Sequence, residues 1–160
     1  MRSKQRLTAE QEAQIKEKQR LLFFLWSMLS MSILIYGLIA YMSRVKVSLF
    51  DENLVFFFQL LMGGAFLLGS LNYRKLTRSL AAPRKGVSFK EGMVQLQNRL
   101  IISWALFESI VILGLVLFFQ GLPLQEFYLY LGLSMLSMLA HPPRASFLRA
   151  VAEWTQAQEA

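Results

Sequence analysis

Residues 100–119 read LIISWALFESIVILGLVLFF, an apolar stretch interrupted by one charged residue, Glu108. A helix of about 20 apolar residues crosses the hydrocarbon core of a bilayer, which is roughly 30 Å thick. An apolar stretch of this length with a single charge is typical of a transmembrane helix. We therefore predict that residues 100–119 span a membrane and that they carry an acid inside it.

Three further apolar stretches lie at residues 21–42, 54–71 and 122–140. The first is long enough to cross a bilayer and the second is somewhat shorter. The third reaches an adequate length only when it is counted from Leu122. The sequence thus predicts an all-α membrane protein, a four-helix bundle with four transmembrane helices in one domain that comprises residues 1–160.

The composition agrees with a membrane protein and excludes several other classes. Of the 160 residues, 55% are hydrophobic and 17% are charged, and the mean hydropathy is +0.42. The 13 phenylalanines argue against a disordered chain. There is no cysteine and only one histidine, His141, which leaves no material for a disulfide framework and almost none for a zinc site. We expect neither a metal nor a cofactor.

Basic residues are concentrated on one side of the predicted spans. Six precede residues 21–42, seven lie in residues 72–99 and two follow residues 122–140, whereas the opposite side has only Arg44 and Lys46. Because loops that stay in the cytoplasm are enriched in Lys and Arg, we expect both termini to be cytoplasmic. Because these basic residues lie next to the membrane, the net charge of +7 indicates contact with anionic lipid and not binding of nucleic acid.

A cleaved signal peptide is the alternative interpretation of the first span. Residues 21–42 are too long for the apolar part of such a peptide, and they follow a charged and polar stretch, residues 1–20. No Ala-x-Ala cleavage pattern precedes Arg44. We interpret the segment as a retained helix.

Capping patterns indicate that two helices extend beyond the membrane. Thr8 and Ser88 are each followed three residues later by Gln or Glu, as in the capping box that satisfies the first backbone N–H groups of a helix. We expect helices from Ala9 to Met42 and from Phe89 to Phe119. The second span is expected to continue until Pro83 breaks it.

The remaining segments are expected to be cytoplasmic. Residues 1–20 would continue the first helix, residues 72–99 would form a basic helical hairpin, and residues 141–160 would form an amphipathic tail on the membrane surface. The basic side chains of the hairpin that we expect to face anionic lipid are Arg84, Lys85 and Lys90. The apolar face of the tail consists of Phe147, Leu148, Val151 and Trp154.

Glu108 is the residue that suggests chemistry. A carboxylate inside a bilayer costs about 3 kcal/mol on insertion scales, so such a group is usually protonated, paired or functional. Counted along the helix, Glu108 lies roughly 12 Å inside the cytoplasmic boundary. Small or hydroxylated residues at a similar depth in the other spans are its expected neighbours: Ser27, Ser30, Gly63, Gly64 and Ser134. No basic residue is at this depth, so Glu108 is either an ion-carrying group or a neutral link between helices.

The sequence around Glu108 also resembles a known family. Residues 105–119, ALFESIVILGLVLFF, are similar to the carboxylate helix of the proteolipid, or c, subunits of rotary ATPases, and residues 32–41, SILIYGLIAY, resemble the same helix without the acid. Aligning the two segments superposes Gly37 on Gly114, as an internal repeat would. The resemblance implies that Glu108 is a reversibly protonated, ion-carrying carboxylate.

Two functions follow from these observations. The first is a small, non-enzymatic protein of a bacterial inner membrane that takes part in proton or other ion transport through Glu108. The second is an accessory or scaffold protein that binds a membrane-protein partner or a second copy of itself, with Glu108 purely structural. An enzyme is disfavoured because no Asp, His or Cys shares the predicted depth of Glu108.

Overall fold

The computed structural model describes residues 9–43, 52–81 and 88–159, and its regular structure in these ranges is entirely α-helical. The helices are α1 (Ala9–Met42), α2 (Glu52–Ala81), α3 (Phe89–Phe119), α4 (Leu124–Ala140) and α5 (Ala145–Glu159). The bounds of α3 and the C-terminal end of α1 are those expected from the sequence. The prediction of an all-α protein is confirmed for the part of the chain described.

Three of the helices are long and apolar enough to cross a membrane. They are α1, the part of α2 from Asn53 to Arg78, and α3. The fourth helix, α4, has 17 residues and is therefore about 25 Å long, shorter than a bilayer core. A membrane crossing by α4 stays a prediction.

Both ends of α3 are fixed by local hydrogen bonds. Ser88 and Glu91 form the predicted capping box, with the Glu91 amide 3.3 Å from Ser88 Oγ and the Ser88 amide 3.1 Å from Glu91 Oε2. At the other end, Gly121 has a φ of 109° and its amide donates to the carbonyl of Phe118. This left-handed glycine turns the chain so that α4 runs back along α3. The corresponding capping box at Thr8 lies outside the described residues.

Helix α3 is the centre of the bundle. It packs against all four other helices. In the described parts of the chain, α2 packs against α3 and α5 and reaches α4 through a hydrogen bond of 3.1 Å from Gln59 Nε2 to the Tyr130 hydroxyl. Paired contacts show that α4 runs antiparallel to both α1 and α3. Along α1, Trp26 Nε1 donates to the carbonyl of Met138 at 3.0 Å and Gly37 faces Leu131. Along α3, Ser134 Oγ donates to the carbonyl of Phe107 at 2.7 Å and Gly114 faces Tyr130. Helices α1 and α3 are therefore parallel, and their N-terminal ends lie at the same end of the bundle.

The core is aromatic, and the outer surface is apolar as well. Trp104, Phe107 and Phe127 are completely buried. Large apolar side chains on the outer faces of α1 and α2 remain more than half exposed, among them Phe24 and Phe56. An exposed apolar surface of this extent is costly in water and favourable in lipid, in agreement with the three candidate spans.

The C-terminal helix α5 does not turn its apolar face outward. It packs across α1, α2 and α3, and Leu148, Val151 and Ala152 are buried there. The expectation that this face lies on the membrane surface therefore needs correction, because the bundle itself supplies the apolar surface that covers it. The side chain of Trp154 lies outside the described part of the chain.

Candidate functional site

Glu108 contacts two hydroxyl groups of α1. Its Oε1 accepts a short hydrogen bond from Ser32 Oγ, and the hydroxyl of Tyr36 lies 3.4 Å from the same oxygen. Ser32 and Tyr36 are four residues apart, so the helical period brings both side chains to one face of α1. All three residues are half-buried. We call this group of three residues the Glu108 cluster.

Ser32 has a second hydrogen-bond partner in its own helix. Its Oγ lies 2.7 Å from the backbone carbonyl of Leu29. A hydroxyl group donates one hydrogen bond and accepts others, so Ser32 cannot donate to Leu29 and to Glu108 at the same time. Rotation about the Cβ–Oγ bond of Ser32 is enough to change which of the two oxygens, that of Leu29 or that of Glu108, accepts its hydrogen bond.

The carboxyl group lies at the edge of the α1–α3 contact, not in the sealed core. Ala105, about one turn before Glu108, and Ile112, about one turn after it, are both exposed. Since α1 and α2 do not pack against each other, α3 keeps an exposed strip between them. The cluster can thus be reached from the side of the bundle.

The residues expected beside Glu108 from their depth lie elsewhere. Ser30 Oγ donates to the carbonyl of Trp26 at 2.9 Å, and Ser134 is occupied by the carbonyl of Phe107. Gly63 and Gly64 are on the outward side of α2, where an added Cβ would meet no atom within 4 Å. None of these four residues makes a described contact with Glu108, and Ser30 and Ser134 have other hydrogen-bond partners.

The fifth expected neighbour, Ser27, is on a different face of α1. It lines a groove together with Arg20 and Phe23, toward the N-terminal end of the helix. Ser27 and Ser32 are five residues apart, which separates them by about 140° around the helix. Ser27 therefore lies on a different face of α1 from Ser32, and the groove is a separate feature.

Ser32 and Tyr36 are not among the neighbours of Glu108 predicted from the sequence. The superposition of residues 32–41 on residues 105–119 is a signal for Ser32, because it places Ser32 one position from Glu108. Tyr36 could then have been found from its four-residue spacing to Ser32 on a helix that runs parallel to α3. The same superposition is visible in the packing: Gly37 faces Leu131 and Gly114 faces Tyr130, two adjacent residues of α4.

A second polar cluster surrounds His141. Its Nδ1 lies 2.6 Å from the carbonyl of Ser137, and its backbone carbonyl accepts a hydrogen bond from Trp104 Nε1 at 2.9 Å. The ring packs edge-on against Tyr73 with the centroids 4.3 Å apart, and its centroid lies 4.9 Å from that of Phe107. His141, which follows the last residue of α4, is therefore packed against α2 and α3 as well.

Of the three basic residues expected to face anionic lipid, one lies in the described part of the chain. Lys90 is exposed on the first turn of α3, and Arg84 and Lys85 lie outside the described ranges. In residues 9–43, 52–81 and 88–159, no group of three or more His, Asp or Glu side chains is placed to hold a metal ion.

Comparison with known proteins does not extend these observations. No protein-family profile, no curated protein and no solved structure matches the chain. The assignment of a function thus rests on the geometry of the Glu108 cluster.

Proposed function

We propose that the protein is a non-enzymatic proton-handling protein of a bacterial inner membrane, and that Glu108 is the group that binds and releases the proton. In this proposal α1, α2, α3 and α4 all cross the membrane, and both termini are cytoplasmic. The observation that carries the proposal is the contact of the Glu108 carboxyl group with the hydroxyls of Ser32 and Tyr36.

The cluster can satisfy Glu108 in both of its protonation states. When the carboxyl group is ionised, Ser32 donates to it, and Tyr36 is a second, longer donor. When the carboxyl group is protonated, it donates to Ser32 Oγ while the Ser32 proton points to the carbonyl of Leu29. A buried polar group without a partner costs about 1–3 kcal/mol, and neither state incurs that cost at Glu108.

Access to the carboxyl group also favours a cycling proton over a purely structural acid. Glu108 is half-buried, and α3 is exposed beside it at Ala105 and Ile112. A partner membrane protein or a second copy of this chain could deliver or remove a proton along that strip of α3. The resemblance of residues 105–119 to proteolipid subunits is consistent with this role.

The alternative function is that of an accessory or scaffold protein. The same hydrogen bonds join α1 to α3, and no described basic side chain contacts Glu108. A carboxyl group that remains neutral would link the two helices in this way without any exchange of protons. In that case the protein would act by binding a membrane partner.

Infrared spectroscopy of the purified protein in lipid separates the two functions. A protonated carboxyl group has a C=O stretch that an ionised carboxylate lacks. If Glu108 handles protons, this band should titrate reversibly with pH and should be absent from the Glu108→Gln variant. The matched control is Glu126→Gln, which removes an exposed acid from the first turn of α4.

Proton movement provides the functional measurement. Wild-type protein in liposomes should change the internal pH under an imposed potential, and Glu108→Gln should abolish this change without unfolding the protein. The proton-handling function would be excluded, and the scaffold function would remain, if the C=O band did not change with pH and the Glu108→Gln variant gave the same internal pH as the wild type.

A further inference from the structure

A groove with a volume of about 490 Å³ follows one face of α1 near the predicted cytoplasmic boundary. All the described residues that line it belong to α1: Lys16, Gln19, Arg20, Phe23, Phe24 and Ser27. Their spacing of three and four residues places them on a single face of the helix. This face is distinct from the face that carries Ser32 and Tyr36.

The lining changes from basic to apolar along the helix. Lys16 and Arg20 precede the first residue of the predicted span, Leu21, whereas Phe23 and Phe24 follow it. Both phenylalanines are more than half exposed, and Phe23 packs against Trp26 with a centroid distance of 5.7 Å. Along the helix, the cations come before the exposed aromatic rings, in the same order as the phosphate and the acyl chains of a phospholipid.

The groove is positively charged although the surrounding segment of α1 has no net charge. Residues 9–20 carry three acidic and three basic residues, so this part of α1 has no net charge that would attract an anionic surface from a distance. The groove itself is lined by two cations, and none of its described lining residues is acidic. Attraction of an anion here therefore depends on its direct contact with Lys16 and Arg20.

We propose that this groove binds the headgroup of one anionic phospholipid. Lys16 and Arg20, one turn apart, hold the phosphate, with the Arg20 guanidinium able to donate two parallel hydrogen bonds to it. Phe23 and Phe24 contact the start of the acyl chains. The site is independent of the Glu108 cluster and of the proton-handling function.

Native mass spectrometry of the full-length protein in detergent tests the proposal, with phosphatidylglycerol and phosphatidylcholine as probes. The wild type should retain one phosphatidylglycerol in preference to phosphatidylcholine. Since each basic residue next to anionic lipid contributes roughly a fivefold preference, the Lys16→Gln/Arg20→Gln variant should lose about 30-fold. Swapping the two cations, Lys16→Arg/Arg20→Lys, should retain most of the binding.

The matched control is Arg74→Gln/Arg78→Gln, which removes two exposed cations with the same spacing from α2. This variant should keep the bound lipid. Equal losses from the two pairs would show a diffuse attraction and overturn the proposal. Displacement of the lipid by inorganic phosphate would also overturn it, because a free anion would then suffice as the ligand. A wild type without a preferred anionic lipid would have the same consequence.

Discussion

Ser32 and Glu108 are 76 residues apart in the chain, and the hydrogen bond between their side chains joins α1 to α3 within the part of the bundle that is predicted to lie in the membrane. The bond connects two parallel helices, so it cannot form by simple hairpin closure. Helices α1 and α3 pack directly against each other, and α4 and α5 each pack against both. The environment of Glu108 is thus a property of the assembled bundle.

Replacing Ser32 by Ala should weaken the α1–α3 contact. Hydrogen bonds between membrane helices contribute about 0.6 kcal/mol on average and up to about 1.7 kcal/mol, and we expect a loss in that range. Tyr36→Phe should cost less because its hydroxyl is 3.4 Å from Glu108. The measurement is the free energy of reversible unfolding in mixed micelles.

Ser30→Ala is the control for this loss, since Ser30 bonds only within α1 to the carbonyl of Trp26 in the described contacts. It should leave the unfolding free energy almost unchanged. If Ser30→Ala and Ser32→Ala proved equally destabilising, the contact between Ser32 and Glu108 would have no energetic importance.

The helices could be predicted from the sequence, whereas the neighbours of Glu108 could not. The ends of α1 and α3 follow from apolar length and from the capping pattern at Ser88, which are local signals. Depths counted from the start of each span are comparable only if every span starts at the same level in the membrane. Ser32 is eleven residues into its span and Glu108 eight into its own, an offset of about 4.5 Å along the helix axis.

Rotation of the helices was the second unknown. Ser30 and Ser32 are almost level, yet they lie about 200° apart around α1, so only one of them can face α3. Which face turns inward depends on the packing partners of α1, and an apolar face that is covered by protein has the same composition as one covered by lipid. Hydropathy therefore does not identify the side of α1 that meets Glu108.

The glycines of α2 should respond differently to substitution. A Cβ at Gly69 would lie 2.8 Å from Cε1 of Phe107, a ring that is completely buried, whereas a Cβ at Gly64 meets no atom within 4 Å. Gly69→Ala should destabilise the protein by about 1–3 kcal/mol through overpacking. Gly64→Ala should be neutral or stabilise the helix by up to about 1 kcal/mol.

Unfolding of both variants in the same mixed micelles provides the comparison. A stable Gly69→Ala protein would mean that the α2–α3 contact is looser than the distance to Phe107 indicates. A destabilised Gly64→Ala protein would mean that another chain covers the outer face of α2.

The proposed topology can be tested by labelling, because the natural sequence contains no cysteine. A single cysteine at Gln125, an exposed residue at the start of α4, should react with a membrane-impermeant thiol reagent in intact cells. A cysteine at Lys90, exposed at the start of α3, should react only after the membrane is permeabilised. The reverse pattern would invert the orientation and the sidedness of the proposed proton pathway.

The hydroxyl of Tyr73 gives the last prediction. Tyr73 is 8% exposed, and its hydroxyl oxygen is buried without a hydrogen-bond partner among the described residues. Leaving such a group unsatisfied costs about 1–3 kcal/mol, so Tyr73→Phe should keep the stability or raise it. Tyr73→Leu should instead lose the ring contacts with His141 and Phe147 and should lower the unfolding free energy.

The comparison of these two variants separates the role of the ring from that of the hydroxyl. If Tyr73→Phe is at least as stable as the wild type and Tyr73→Leu is not, the residue serves as an aromatic contact for His141 at the junction of α2, α3 and α5. A clear loss of stability in Tyr73→Phe would instead require a hydrogen-bond acceptor or a bound water at this hydroxyl. The polar cluster around His141 would then extend to the Tyr73 hydroxyl, because Tyr73 and His141 are in direct contact.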